Sequence, residues 1–250
     1  LKRRTFAIIP ARYGSTRFPA KVLAELEGKP IIQWVYEKAK ASRADEVIVA
    51  TDDERVMQAV AAFGGRAVMT SVNHPSGSDR ICEAANLAGA ADNDVIINIQ
   101  GDEPLIPSSV IDELIERMHT HPEQEMATVA VPRPRSAIEH DPNRVKAVFG
   151  VNGDALYFSR SMIPFLREGG AETECYLHWG IYAYRCDVLR RFVTLPESRL
   201  EKCEKLEQLR ALDNGIGIYV LTSNLESIGI DTPEDLELAR KKVREMLAGK

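Results

Sequence analysis

Three cations stand within the ten residues Arg12 to Lys21 (RYGSTRFPAK): Arg12, Arg17 and Lys21, interleaved with Gly14, Ser15 and Thr16. Backbone N–H groups of small residues and nearby positive charge are what a polyphosphate needs. A plain solvated basic loop is the competing reading of the same residues. Two acidic points lie far away in the chain, Gln100-Gly101-Asp102-Glu103-Pro104 and Gly229-Ile230-Asp231-Thr232-Pro233. A carboxylate beside a glycine, just past a buried strand, suits Mg²⁺ where phosphates arrive, although Gly-Asp is more often a simple turn. Thr232, Pro233 and Asp235 read as a helix cap, which leaves Asp231 outside and unexplained. Asp102 and Asp231 set against the basic loop would let one Mg²⁺ clamp a nucleoside triphosphate.

The elements that must position these groups follow from hydrophobic period. Residues 5–11, 46–50, 66–70 and 94–99 read as short buried strands rich in β-branched residues. Residues 30–41, 53–63, 79–91 and 107–120 read as helices, with Pro30 and Pro107 in first turns and Gly64-Gly65 as a stop. Alternating strands and helices predict an α/β fold, Rossmann-like, with a mainly parallel sheet covered on both faces. Ligands in such sheets bind beyond the carboxyl ends of the strands, where the long 12–21 connection and Asp102 both fall. After residues 126–132 the rhythm changes. Residues 145–151 and 155–159 flank Asn152-Gly153 as a hairpin, 177–185 is an aromatic strand, and helices return at 204–214 and 232–247. We therefore expect one domain over residues 1–250 with a β-rich insert at about 140–200. Trp179, Tyr182 and Tyr184 make that insert a candidate dimer surface.

Composition excludes several classes. The 250 residues carry 32 basic and 37 acidic side chains, a net charge of −5, with 44% hydrophobic and 28% charged residues. That balance argues against nonspecific nucleic-acid binding, which needs a broadly basic surface. No apolar run has membrane-spanning length, and the basic Leu1-Lys2-Arg3-Arg4 leads into too short an apolar stretch for a signal peptide. A cytoplasmic protein without membrane partners is expected. Cys82, Cys175, Cys186 and Cys203 lack zinc or disulfide spacing and read as reduced thiols. His119 and His121 close a helix before Pro122, which accounts for them better than metal binding. Neither G-x-x-x-x-G-K-[ST] nor G-x-G-x-x-G occurs, which disfavours a P-loop NTPase and a nicotinamide dehydrogenase.

The segment Ile9-Pro10-Ala11-Arg12-Tyr13-Gly14-Ser15-Thr16-Arg17-Phe18-Pro19-Ala20-Lys21 resembles the opening signature of the cytidylyltransferases that activate acidic sugars. Residues 75–80 (PSGSDR), 98–104 (NIQGDEP), 155–160 (ALYFSR), 178–182 (HWGIY), 206–210 (LEQLR) and 231–236 (DTPEDL) follow in order. The series resembles the branch acting on 3-deoxy-manno-octulosonate (KDO) and spans nearly the whole chain. The resemblance implies a nucleotidyltransferase fold and a homodimer. It also implies Mg²⁺-dependent transfer of CMP from CTP to KDO, supplying lipopolysaccharide biosynthesis. By similarity, Pro10, Ala11, Arg12, Gly14, Ser15, Arg17, Lys21, Ser76, Gly77, Ser78, Arg80 and Gln100 would bind CTP. Lys21, Arg17, Asp102 and Asp231 would carry catalysis, the two aspartates as metal ligands. Gln100, Arg160, His178, Tyr182, Glu207 and Gln208 would meet the sugar acid. Trp179 and Ala183 depart from the residues common in that strand, so sugar preference between KDO and its 8-amino analogue stays open. A nucleotide-binding regulator without catalysis is the alternative from another class; it should lack a site carboxylate or loop cation, and Arg12, Lys21, Asp102 and Asp231 are all present.

Overall fold

A strand becomes central when both of its faces are apolar, and the first strand shows this residue by residue. The computed structural model describes residues 3–14, 18–170, 173–225 and 227–248. The first half runs β1 (Thr5–Ala11), a 3-10 turn (Lys21–Leu23), β2 (Glu25–Leu26), β3 (Lys29–Pro30), α1 (Ile31–Lys40), β4 (Glu46–Thr51), α2 (Glu54–Ala62), β5 (Ala67–Met69), α3 (Gly77–Leu87), β6 (Val95–Asn98), α4 (Ser108–Thr120) and β7 (Met126–Arg133). The second half adds α5 (Arg135–Ile138), β8 (Lys146–Phe149), β9 (Ala155–Ser159), β10 (Cys175–Arg185), α6 (Cys186–Thr194), α7 (Arg199–Glu204), α8 (Gln208–Asp213), β11 (Ile218–Thr222) and α9 (Pro233–Ala248). In β1, Phe6 and Ile8 join the core under α3, α6 and α8. Ala7 and Ile9 join the opposite core, under α1, α2, α4 and α9. The sheet is thus covered on both faces, as a parallel sheet must be.

Strand order along the sheet is β11-β7-β10-β6-β1-β4-β5. β6, β1, β4 and β5 pair in parallel, as do β7 and β11. β10 runs antiparallel to both β6 and β7. Its first half pairs with β8 on the side where its second half pairs with β6, and β9 extends β8. The 140–200 stretch is therefore built into the sheet: β10 fills its middle while β8 and β9 widen it.

Several local expectations shift. Pro30 and Pro107 sit one position outside their helices, as extended caps with ψ of 147° and 131°, because each ends a chain segment entering from the sheet. The third helix starts at Gly77 and ends at Leu87, earlier than expected, because the Ser76 side chain accepts from the N–H groups of Ser78 and Asp79. The expected helix at 204–214 begins later, as α8 from Gln208 to Asp213, and a separate helix, α7, ends at Glu204. Lys205 takes a left-handed φ of 52° between them, and the Ser198–Glu201 capping box begins α7. Trp179 and Tyr184 are buried, at 8% and 2% exposure, inside the two cores of this chain. They cannot form the exposed aromatic surface anticipated for them.

Candidate active site

β1 ends at Ala11, and the chain must then turn away from the sheet before it can build a helix. Ala20 closes that excursion: its N–H bonds the Tyr13 carbonyl at 3.1 Å, with φ of 55°. The 3-10 turn that follows delivers Lys21 back over the end of the strand, where it is 9% exposed. Its Nζ donates to Asp102 Oδ2 at 2.6 Å and to Asp231 Oδ1 at 3.0 Å. Residues 81 and 210 positions apart from it in sequence thereby meet at one point. Burial works against the Lys21 charge, yet the two carboxylates outweigh it and hold its pKa above the ordinary lysine value.

Around this triad lies a cleft of about 420 Å³, lined by Pro10, Arg12, Gly14, Lys21, Gly77, Gln100, Asp102 and Asp231 among others. Six of the twelve residues expected for CTP line it: Pro10, Arg12, Gly14, Lys21, Gly77 and Gln100. Ala11 is buried in the strand beneath it. Arg12 is anchored by a 2.9 Å bond to the His74 carbonyl. Ser76 caps α3 and Ser78 lies in its first turn, so the α3 N-terminus faces the Pro10 ring across Gly77. Ser15 and Arg17 lie outside the described residues.

Arg80 departs from its expected place on the nucleotide. Its side chain is fully buried, with NH1 on Thr70 Oγ1 and NH2 on Asp52 Oδ2, each at 2.5 Å. It ties α3 to the ends of β4 and β5. Only Nε is left without a partner in the structure.

The residues expected for the sugar acid do not share one cavity: Gln100 lines the cleft of the triad, Glu207 a neighbouring cavity beside Ser76, and His178 another beside Glu103 and Trp179. Ser78 Oγ donates to Glu207 Oε2 at 2.6 Å, while the other oxygen, Oε1, is buried without a hydrogen bond. Gln208 beside it is 5% exposed. Gln100 Nε2 donates to the Gly180 carbonyl at 3.0 Å, which fixes it against β10. The His178 ring packs on Tyr182, 5.4 Å between centroids, and on Phe158 at 4.8 Å. His178 Nε2 lies 2.9 Å from Thr128 Oγ1, whose own hydrogen goes to the Ile181 carbonyl at 2.8 Å. Burial pushes the imidazole down to about 3, so it is neutral at pH 7. Tyr182 is held well above the usual phenol range by burial.

Arg160 stands apart. Its guanidinium donates to three carbonyls, of Glu204 at 2.6 Å, Pro142 at 2.9 Å and Lys205 at 3.3 Å. A carboxylate would meet only the outer N–H bonds this frame leaves over. The buried Lys146 in turn donates to the Arg160 carbonyl at 2.8 Å.

Sequence reasoning missed Asn98, Tyr184 and Glu103. Tyr184 bonds both Ser78 and Asn98, completing the link from α3 to the sheet. Asn98 had a signal: a polar residue ending an otherwise apolar buried strand. Glu103 was masked by its neighbour Asp102.

Hard oxygen donors from two segments, already enclosing one cationic group, fit Mg²⁺, which is commonly held by one or two carboxylates plus substrate phosphates.

Comparison with known proteins agrees with this geometry. A family model described as cytidylyltransferase matches residues 6–228. A 3-deoxy-manno-octulosonate cytidylyltransferase of Thermodesulfovibrio yellowstonii is 52% identical over 248 residues, covering 95% of this chain and 97% of the relative. An 8-amino-3,8-dideoxy-manno-octulosonate cytidylyltransferase of Shewanella halifaxensis is 49% identical, covering 94% and 97%. A solved structure of CMP:2-keto-3-deoxy-manno-octonic acid synthetase complexed with CTP superposes with a TM-score of 0.92 at 43% identity, covering 97% of this chain and 99% of that one. With the family model spanning most of the sheet and every segment of the cleft except the 229–231 turn, the chain belongs to the cytidylyltransferase family.

Proposed function

We propose that this protein transfers CMP from CTP to the anomeric hydroxyl of KDO, releasing pyrophosphate, with Mg²⁺ held by Asp102 and Asp231. The observation that carries the reading is the Asp102–Lys21–Asp231 triad at the carboxyl end of the parallel sheet, in one cleft with Arg12, Gly14 and Gln100.

The sugar hydroxyl oxygen forms the new bond to the α-phosphorus, the bond to the β-phosphate oxygen breaks, and pyrophosphate departs with that electron pair. The hydroxyl proton passes to solvent. Mg²⁺, when bound, would neutralise phosphoryl charge and lower the pKa of the attacking hydroxyl. Lys21, Arg12 and Arg17 would hold the triphosphate and offset charge growing on the leaving group. Positioning then supplies much of the acceleration. Glu207, whose Oε2 accepts from Ser78 and whose Oε1 faces Arg210, is the candidate to accept from a sugar hydroxyl. Arg160, through its outer N–H bonds, is the candidate for the sugar carboxylate. The neutral His178 contributes orientation rather than charge.

A homodimer belongs to the same reading. Leu156 and Phe165 in the 140–200 stretch are 66% and 85% exposed, and large apolar groups so placed favour burial against a second copy. The second sugar reading, 8-amino-KDO, rests on the 49% identity to a relative of that name.

Pyrophosphate release measured with Mg²⁺ and CTP, with and without KDO, tests the proposal, with UTP, ATP and the 8-amino sugar in parallel. Release requiring CTP and KDO together supports it, and faster release with the amino sugar would move the substrate assignment. CTP binding without release for any acidic sugar would favour a regulator. Asp102→Asn and Asp231→Asn should each lower turnover at least about a hundredfold while leaving the melting temperature near that of the parent.

A further inference from the structure

The carboxylates of Asp102 and Asp231 are held together in the structure by the ammonium of Lys21. If Lys21 moves to a triphosphate, that bridge is gone, and the two like charges repel until a metal joins them. Something other than Lys21 must therefore keep the two segments in place, and the contacts beside the triad show what does. The Asp102 carbonyl accepts from the N–H of Ile230 at 2.9 Å. One residue along, the Glu103 carboxyl accepts a hydrogen bond from the Ser227 hydroxyl. Trp179 of β10 hydrogen-bonds the same carboxyl. Gly229 packs so closely that a Cβ there would stand 3.3 Å from Glu103 Oε1.

A single attachment leaves a segment free to pivot. Two attachments three residues apart, at Ser227 and Ile230, fix the direction of the strip that ends in Asp231, and the fully buried Ile230 side chain anchors it below. The Trp179 indole fixes Glu103 in turn to the rigid middle of the sheet.

We propose that Glu103 is a positioning residue: its carboxyl straps the 227–231 segment to the Asp102 turn, so that Asp102 and Asp231 keep a spacing one divalent cation can bridge. The inference rests on the metal role given to the two aspartates above. It also gives Trp179 a task at the site.

Mn²⁺ titrations followed by electron paramagnetic resonance, with and without CTP, test it on the full-length chain, read together with thermal melting and kcat. The variants are Glu103→Ala, Glu103→Gln, Ser227→Ala and Asp102→Asn. Loss of a group that orients a metal ligand typically weakens metal binding by about 10–100-fold. Glu103→Ala and Ser227→Ala should raise the Mn²⁺ dissociation constant by about tenfold and lower kcat at fixed Mg²⁺, with KM for CTP at saturating metal little changed. Glu103→Gln keeps the shape and hydrogen-bonding capacity and should restore most of the affinity. Should Glu103→Ala fail to fold, Ser227→Ala removes only a hydroxyl and gives the same reading. If Asp102→Asn weakens Mn²⁺ binding while Ser227→Ala and Glu103→Gln both bind as the parent and Glu103→Ala does too, the strap is overturned and the metal reading stands. Unchanged Mn²⁺ affinity in Asp102→Asn would overturn the metal reading, and the strap with it.

Discussion

Arg160 and His178 illustrate how burial assigns work to a side chain. Arg160 spends most of its donors on the carbonyls of Pro142, Glu204 and Lys205, which fixes its guanidinium in place. Arg160→Ala should raise KM for KDO about tenfold or more and KM for CTP far less, read from initial rates with each substrate varied. An equal rise for both would remove the carboxylate contact. For His178 the pH sign is worked out from burial. The folded-state value, about 3, lies below the ordinary 6.5. Between these values the unfolded chain binds the extra proton, so stability is unaffected above pH 6.5 and falls as pH drops toward 3. Melting temperatures of the parent should decline over that window, and His178→Phe should flatten the decline. Part of this scale was legible in the sequence: Lys21, Asp102 and Asp231 each stood out by residue type and place, and the motif series rather than their spacing joined them into one site. Arg80 was not, because a residue type alone does not say whether its donors face a ligand or the Asp52 and Thr70 beneath it.

Among the elements, β1, β4, β5 and β6 were legible because each is a run of apolar residues bounded by turn residues, whereas the two-residue β2 and β3 carry no such run. The 204–214 region misled because its apolar residues keep helical period through Lys205, Leu206 and Glu207, where the backbone breaks. Leu206 still enters the core, so the period survives a break that only the left-handed Lys205 and the Ser198 cap reveal. β11 and α6 escaped notice since both are short and lie beside stronger signals. The Asn152-Gly153 turn was read correctly, and the structure adds a reason for its glycine. Gly153 has φ of 87°, and a Cβ there would strike the Tyr219 ring. Gly153→Ala should therefore cost about 1–3 kcal/mol of stability, measured by urea unfolding, through backbone strain and the displaced ring.

At the scale of the whole molecule, charge and topology act together. A chain of net charge −5 gathers Arg12, Arg17 and Lys21 within ten residues of sequence, and of these Arg12 and Lys21 line the cleft beside Asp102 and Asp231. None of its helices, among the described residues, is long and apolar enough to cross a membrane. The placement of β10 between β6 and β7 has a temporal meaning as well. A growing chain completes β6 and β7 while the strand that must lie between them has not yet been made. Until residue 185 has emerged, each of those strands keeps an unpaired edge, and neither half of the sheet can join the other. A fragment ending before Cys175 should accordingly lack dispersed amide resonances and sediment as aggregates. Synthesis of the antiparallel strand then becomes the event that commits the nascent chain, and the nucleotide-facing loops acquire their fixed positions only afterwards.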